Sequence, residues 1–128
     1  MGRIGDVRAG VLVVDGHTSF RTFARRLLVA EGFDVVGGAA NGASALSAAG
    51  ALRSNVVLLD VQLPDVDGFR VALELASHEP PPAVVLVSSR ARSDYGSRVD
   101  ASRAVGFLTK ADLNGAALAR VLNLPCAG

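Results

Sequence analysis

The sequence predicts a doubly wound α/β domain, with one five-stranded parallel sheet flanked by five helices. Three observations carry this. Short runs rich in β-branched residues recur without polar alternation, as strands buried on both faces do. Helix-period segments lie between them, and a βα unit repeated five times gives a parallel sheet covered on both sides. The length of 128 residues matches one domain with a core of its own.

The strands read in order. Val11-Leu12-Val13-Val14 stops at Asp15, and Val56-Val57-Leu58-Leu59 stops at Asp60. Ala83–Val87 stops at Ser88, and Ala104–Leu108 stops at Thr109-Lys110. Phe33–Ala40 is weaker because Gly37 and Gly38 interrupt it, which places it at an edge. Phe20, Phe23, Leu27 and Leu28 form the inward stripe of the first helix, with Thr18 or Ser19 as its cap and Gly32 at its end. Asn41 caps an Ala-rich second helix. Phe69, Ala72, Leu73 and Ala76 mark a third, ended by Pro80-Pro81-Pro82. Asp94–Ser102 is a poor fourth helix, with Gly96 inside it and Tyr95 and Val99 as its large apolar residues. Asp112 caps a fifth, with Leu118, Val121 and Leu122 inward and Pro125 ending it. Residues 1–9 read as a flexible tail, 10–124 as the domain and 125–128 as a second tail, leaving no room for an output domain.

Composition excludes several classes. A single Cys, Cys126, rules out a disulfide scaffold or a cysteine metal cluster. No apolar run reaches the ~20 residues of a membrane span, and the first ten residues lack a signal-peptide core, so the expected compartment is the cytoplasm. The net charge of +1 provides no global field for nucleic acid, and no DNA-reading module is visible. Twelve of the 13 basic residues are Arg, which makes the lone Lys110 a candidate for a task that needs an ammonium.

In an open parallel sheet, ligands bind beyond the carboxyl ends of the strands where the strand order reverses. Asp15, Asp60, Ser88 and Lys110 all end strands. Two carboxylates suit a hard dication, and a hydroxyl and an ammonium can hold phosphoryl oxygens, with one Asp as the accepting nucleophile. Asp65 and Asp67 before Gly68 read as turn formers. The Arg90, Arg92, Arg98 and Arg103 stretch reads as a solvated face, and His17 and His78 as surface residues.

VLVVDGH, VVLLDVQLPDVDGF, VVLVSS and GFLTK, in this order and spacing, resemble the receiver domain of two-component response regulators across about residues 10–124. The resemblance implies a flavodoxin-like sheet of order 2-1-3-4-5. It implies phosphoryl transfer from a sensor histidine kinase or phosphotransfer protein onto Asp60, and no enzymatic activity beyond the domain's own phosphorylation and dephosphorylation. It also implies a Mg²⁺ site formed by Asp15, Asp60 and the backbone carbonyl of Gln62. Ser88 matches the hydroxyl that closes on the phosphoryl group, Phe107 the aromatic switch and Lys110 the lysine after strand five. Output would be a changed surface for an unknown downstream protein, with pairing of copies through the 94–122 face as an option, and without direct contact to nucleic acid or membrane.

Two positions depart from the family pattern. Ala111 stands where Pro commonly follows the Lys. Gly16 stands where a second metal-ligating acid is usual, so metal affinity is expected to be weakened, with water able to fill the gap. A degenerate receiver acting as a phosphorylation-independent interaction module is therefore the alternative. A small haloacid-dehalogenase-like phosphohydrolase is a remote one, because His17 occupies the place of its second acid.

Overall fold

The computed structural model describes residues 10–52 and 54–124. β1 (Gly10–Val14), β2 (Asp34–Ala39), β3 (Val56–Asp60), β4 (Ala83–Ser88) and β5 (Gly106–Thr109) form one sheet of order β2-β1-β3-β4-β5. All four pairings are parallel. The expected fold class and strand order are both present, with the Gly-interrupted β2 at an edge. The helices are α1 (Thr18–Ala30), α2 (Gly42–Ala51), α3 (Gly68–Ala76), α4 (Arg98–Ala101) and α5 (Gly115–Leu122).

Strand side chains alternate faces, so the sheet carries two cores. Leu12, Val14, Val57, Leu59 and Leu86 pack with Ala45 of α2, Val71 and Leu75 of α3 and Val99 of α4. Val11, Val13, Leu58, Val85 and Val87 pack with Ala24 and Leu28 of α1 and Leu118 of α5. This two-sided burial is why the central strands read as unbroken apolar runs.

Several local expectations are corrected. The buried residues of α1 are Ala24 and Leu28, while Phe23 is 52% exposed, because the sheet admits the small Ala at closest approach. Neither Thr18 nor Ser19 caps this helix. The N-cap is His17, without a side-chain cap bond. In α3 the inward residues are Phe69, Val71, Ala72 and Leu75, and Leu73 faces out. Leu75→Ala is therefore expected to cost about 2–5 kcal/mol in denaturant unfolding, and Leu73→Ala under about 0.5 kcal/mol. The fourth helix is split: a 3₁₀ turn at Arg92–Asp94, then α4 alone, with Gly96 between them at φ +58°. Asn114, not Asp112, caps α5 by accepting from Ala117 N at 2.8 Å, while Asp112 lies in a 3₁₀ turn. Val105 precedes β5 rather than belonging to it and is exposed. Asn41 does cap α2, accepting from Ser44 N at 2.9 Å. Both predicted tails, Pro125 and Cys126 lie outside the described residues.

Candidate functional site

The chain reverses its direction of winding between β1 and β3, which opens the crevice that such sheets use for ligands. Asp15 follows β1 and Asp60 ends β3, and both are buried. Lys110, just beyond β5, reaches across to both. Its Nζ lies 2.6 Å from Asp15 Oδ2 and 3.4 Å from Asp60 Oδ2. The same ammonium sits 4.5 Å from the centroid of the Phe20 ring, so the aromatic face adds a second anchor. Three of the four residues expected to converge, separated by up to 95 positions in sequence, thus meet at one point, while the fourth, Ser88, makes its hydrogen bonds elsewhere.

The local chain explains why these carboxylates tolerate burial. Asp15 Oδ1 accepts from His17 N at 2.8 Å and lies 3.1 Å from His17 Nδ1. The Asp15 carbonyl accepts from the Arg21 guanidinium at 2.6 Å. Asp60 Oδ1 accepts from Gln62 N at 3.2 Å. The turn after Asp60 is built closely onto it. Asp67 caps α3 by accepting from Phe69 N at 2.8 Å, and Gly68 N donates to Val61 O at 2.8 Å. A Cβ on Gly68 would collide with the Asp60 carbonyl, so only glycine lets the start of α3 press against the strand end. Asp65 accepts from Gly42 N at 2.8 Å and Ala43 N at 3.1 Å at the start of α2, which holds its carboxyl below the ordinary value. Asp65 and Asp67 are therefore structural, as their sequence position suggested.

The two site carboxylates are driven apart in acidity. Burial pushes Asp60 up, the charge of Asp15 pushes it further, and Gln62 N and Lys110 only partly oppose this, giving a pKa of about 6. For Asp15, burial also opposes the charge. Lys110 and the His17 N–H outweigh it and hold Asp15 below its ordinary value.

Asp15, His17 and Asp60 present ligand atoms within 4.8 Å of one another, close enough to share a metal ion. Hard oxygen donors on two buried acids fit a dication of the Mg²⁺ type. Gly16 has no side-chain oxygen, and a Cβ there would lie 3.3 Å from Pro64 Cδ.

Ser88 is engaged elsewhere. It lies one residue beyond Val87, the register partner of Asp60. Its Oγ is 2.7 Å from the Tyr95 hydroxyl and accepts from Arg90 N at 3.0 Å. Tyr95 packs against Phe69 at 5.4 Å and against Phe107 at 5.9 Å between ring centroids. Phe107 thus adjoins the Ser88 partner and packs on the α2–α3–α4 side of the sheet. Arg98 lies 4.5 Å above the Phe69 ring and pairs with Asp67, so one member of the basic stretch ties α4 to α3. Sequence patterning gives Tyr95 only a helix-core role and leaves His17 and Arg21 outside the site. His17 and Arg21 join it through contacts to Asp15 two and six residues away, and Tyr95 through Ser88 seven residues away; the one sequence cue is that His17 directly follows the Asp15-Gly16 turn.

This fold and crevice define a doubly wound α/β domain with an acidic pocket at its topological switch point, and comparison with known proteins gives its family. A family model for the response regulator receiver domain matches residues 11–121, and the chain belongs to that family. The response regulator GacA of Pseudomonas aeruginosa is 37% identical over 101 residues, covering 78% of this chain and 47% of that protein. GacA of Pseudomonas viridiflava is 35% identical over 113 residues, covering 88% of this chain and 51% of its own length. The chain spans about half the length of the curated relatives it matches. Among solved structures, the signal receiver domain of NarL from Mycobacterium tuberculosis superposes with a TM-score of 0.80 at 33% identity, covering 91% of this chain and 94% of that one. The chemotaxis protein CheY4 of Vibrio cholerae gives 0.77 at 27% identity, covering 91% and 98%. Among the described residues no helix is long and apolar enough to cross a membrane.

Proposed function

We propose that this chain is a phosphorylation-driven receiver whose acceptor is Asp60, charged by a sensor histidine kinase or a phosphotransfer protein. The observation that supports it most is the convergence of Lys110 Nζ on both Asp15 and Asp60 in the crevice at the carboxyl ends of the strands. An Asp60 carboxylate oxygen attacks phosphorus, an acyl phosphate forms, and the P–N bond to the donor imidazole breaks, the imidazole leaving with a proton. Asp60 is mostly ionised at neutral pH despite its raised pKa, so the nucleophile is available. Lys110 neutralises charge on the transferred group. Asp15, Asp60 and the Gln62 carbonyl would hold Mg²⁺, which when bound neutralises phosphoryl oxygens. Ser88 is the hydroxyl that binds the product. Transfer adds roughly one negative charge beside Ser88 and Lys110, and the 92–112 segment follows as the surface read by a downstream protein.

Incubation with acetyl phosphate and Mg²⁺, followed by intact mass, is expected to show uptake of one phosphoryl group that hydroxylamine removes, as it does from an acyl phosphate. No uptake, or uptake that resists hydroxylamine, overturns the reading.

Gly16 supports a second reading, a receiver that binds its partner without phosphorylation. With one carboxylate missing from the usual set, Lys110 already offsets half of the remaining pair's charge. Metal binding separates the two readings, as argued in the Discussion.

A further inference from the structure

The hydroxyl network beside the site departs from what the sequence suggests. Phe107, at the aromatic switch position, has no hydroxyl. The hydroxyl that meets Ser88 belongs to Tyr95, which lies between the 3₁₀ turn at Arg92–Asp94 and Gly96. We infer that Tyr95 is a positioning residue that latches Ser88 away from Asp60 in the unphosphorylated protein, and that phosphorylation works by breaking this latch. The inference rests on the reading above, in which Ser88 binds the phosphoryl group.

Four observations carry it. Ser88 is 3% exposed, so water does not compete freely for its hydroxyl. Its Oγ is occupied by Tyr95 and by Arg90 N, and among the described residues it has no hydrogen bond to Asp60 or Lys110. A hydroxyl has one proton and two lone pairs, so turning toward new phosphoryl oxygens costs it an existing partner. The Tyr95 ring, finally, is wedged between Phe69 of α3 and Phe107 of β5. Arg98 of α4 lies over the Phe69 ring and pairs with Asp67, the cap of α3. Loss of the Ser88 bond therefore frees a ring that packs on both α3 and β5. The adjoining backbone can follow it, because Gly96 supplies the positive φ and the α4 helix is only four residues long.

The chain provides its own probe. Tyr95 is the single tyrosine and there is no tryptophan, so intrinsic emission reports this one ring. Acetyl phosphate with Mg²⁺ should shift the Tyr95 emission in step with phosphoryl uptake by mass. Ser88→Ala should show a shift of the same sign before any phosphoryl donor is added. Tyr95→Phe keeps the ring packing and removes only the latch. Since one hydrogen bond must no longer be broken, its phosphoryl uptake should be about two- to ten-fold faster than wild type. Uptake by wild type with unchanged Tyr95 emission, or a Tyr95→Phe variant that takes up phosphoryl no faster, overturns the latch and leaves the acceptor assignment standing. No uptake by wild type overturns the acceptor assignment and the latch together.

Discussion

Asp60→Asn is expected to abolish phosphoryl uptake and, at about pH 7.5, to make the protein more stable than wild type. The first effect follows because an amide cannot replace the attacking carboxylate oxygen. The second follows from the raised pKa. Asp60 titrates near 6 in the folded chain against an ordinary value of 3.8, so between these pH values the folded state binds more protons than the unfolded state. Stability from this group is therefore full below about pH 4 and is lost as pH rises through 6. At neutral pH the folded protein carries the whole cost of a buried anion beside Asp15. Asn keeps the acceptor for Gln62 N but removes that anion, at the loss of a Lys110 contact of 3.4 Å. The net gain is expected to be roughly 2 kcal/mol at about pH 7.5, shrinking to nothing toward pH 4. Chemical denaturation across that pH range checks it. An Asn variant that is no more stable at about pH 7.5, or equally stabilised at about pH 4, contradicts the assigned electrostatics. The second measurement, intact mass with acetyl phosphate, checks the chemistry independently of stability.

The strands and their polar ends were legible in the sequence because double burial writes the same short β-branched word each time. Asp15, Asp60 and Lys110 could be grouped for the same reason, since parallel strands deliver their ends to one side. Helix faces were less legible. In α3 the phase is set by Gly68, which must press against the Asp60 carbonyl, and that turns Leu75 inward and Leu73 out. In α1 the sheet selects Ala24 over Phe23 for lack of space, a property of the partner surface and not of the helix. Asn114 rather than Asp112 caps α5 because Lys110–Asp112 forms a 3₁₀ turn first, which delays the helix. The Ser88–Tyr95 contact was not legible at all. It spans seven residues through an irregular segment whose path depends on packing against Phe69 and Phe107.

Gly16→Asp should raise Mg²⁺ affinity by about ten-fold or more. Mg²⁺ favours near-octahedral oxygen coordination and accepts water where protein oxygens are lacking. The natural chain offers two carboxylates, and Lys110 already sits 2.6 Å from one of them. Binding the dication must therefore displace or repel an ammonium with little anionic charge to offset it. A third carboxylate at residue 16 changes that balance. Its gain in water-exposed surroundings is on the order of 1–2 kcal/mol after hydration is subtracted, which sets the ten-fold scale. Space permits the side chain if Pro64 yields slightly, since a Cβ would lie 3.3 Å from Pro64 Cδ and 3.7 Å from Ala40 O. The same change should lower stability without metal, because another anion beside Asp15 and Asp60 raises the cost of ionising both. Calorimetric Mg²⁺ titration of the two proteins tests this directly. Saturation of wild type at low millimolar Mg²⁺ favours the phosphoacceptor reading. Binding by Gly16→Asp alone favours the phosphorylation-independent one and means that the natural glycine has removed the cation from the site. Equal affinity in the two proteins contradicts the role given to position 16, because then the missing carboxylate was never what limited the metal.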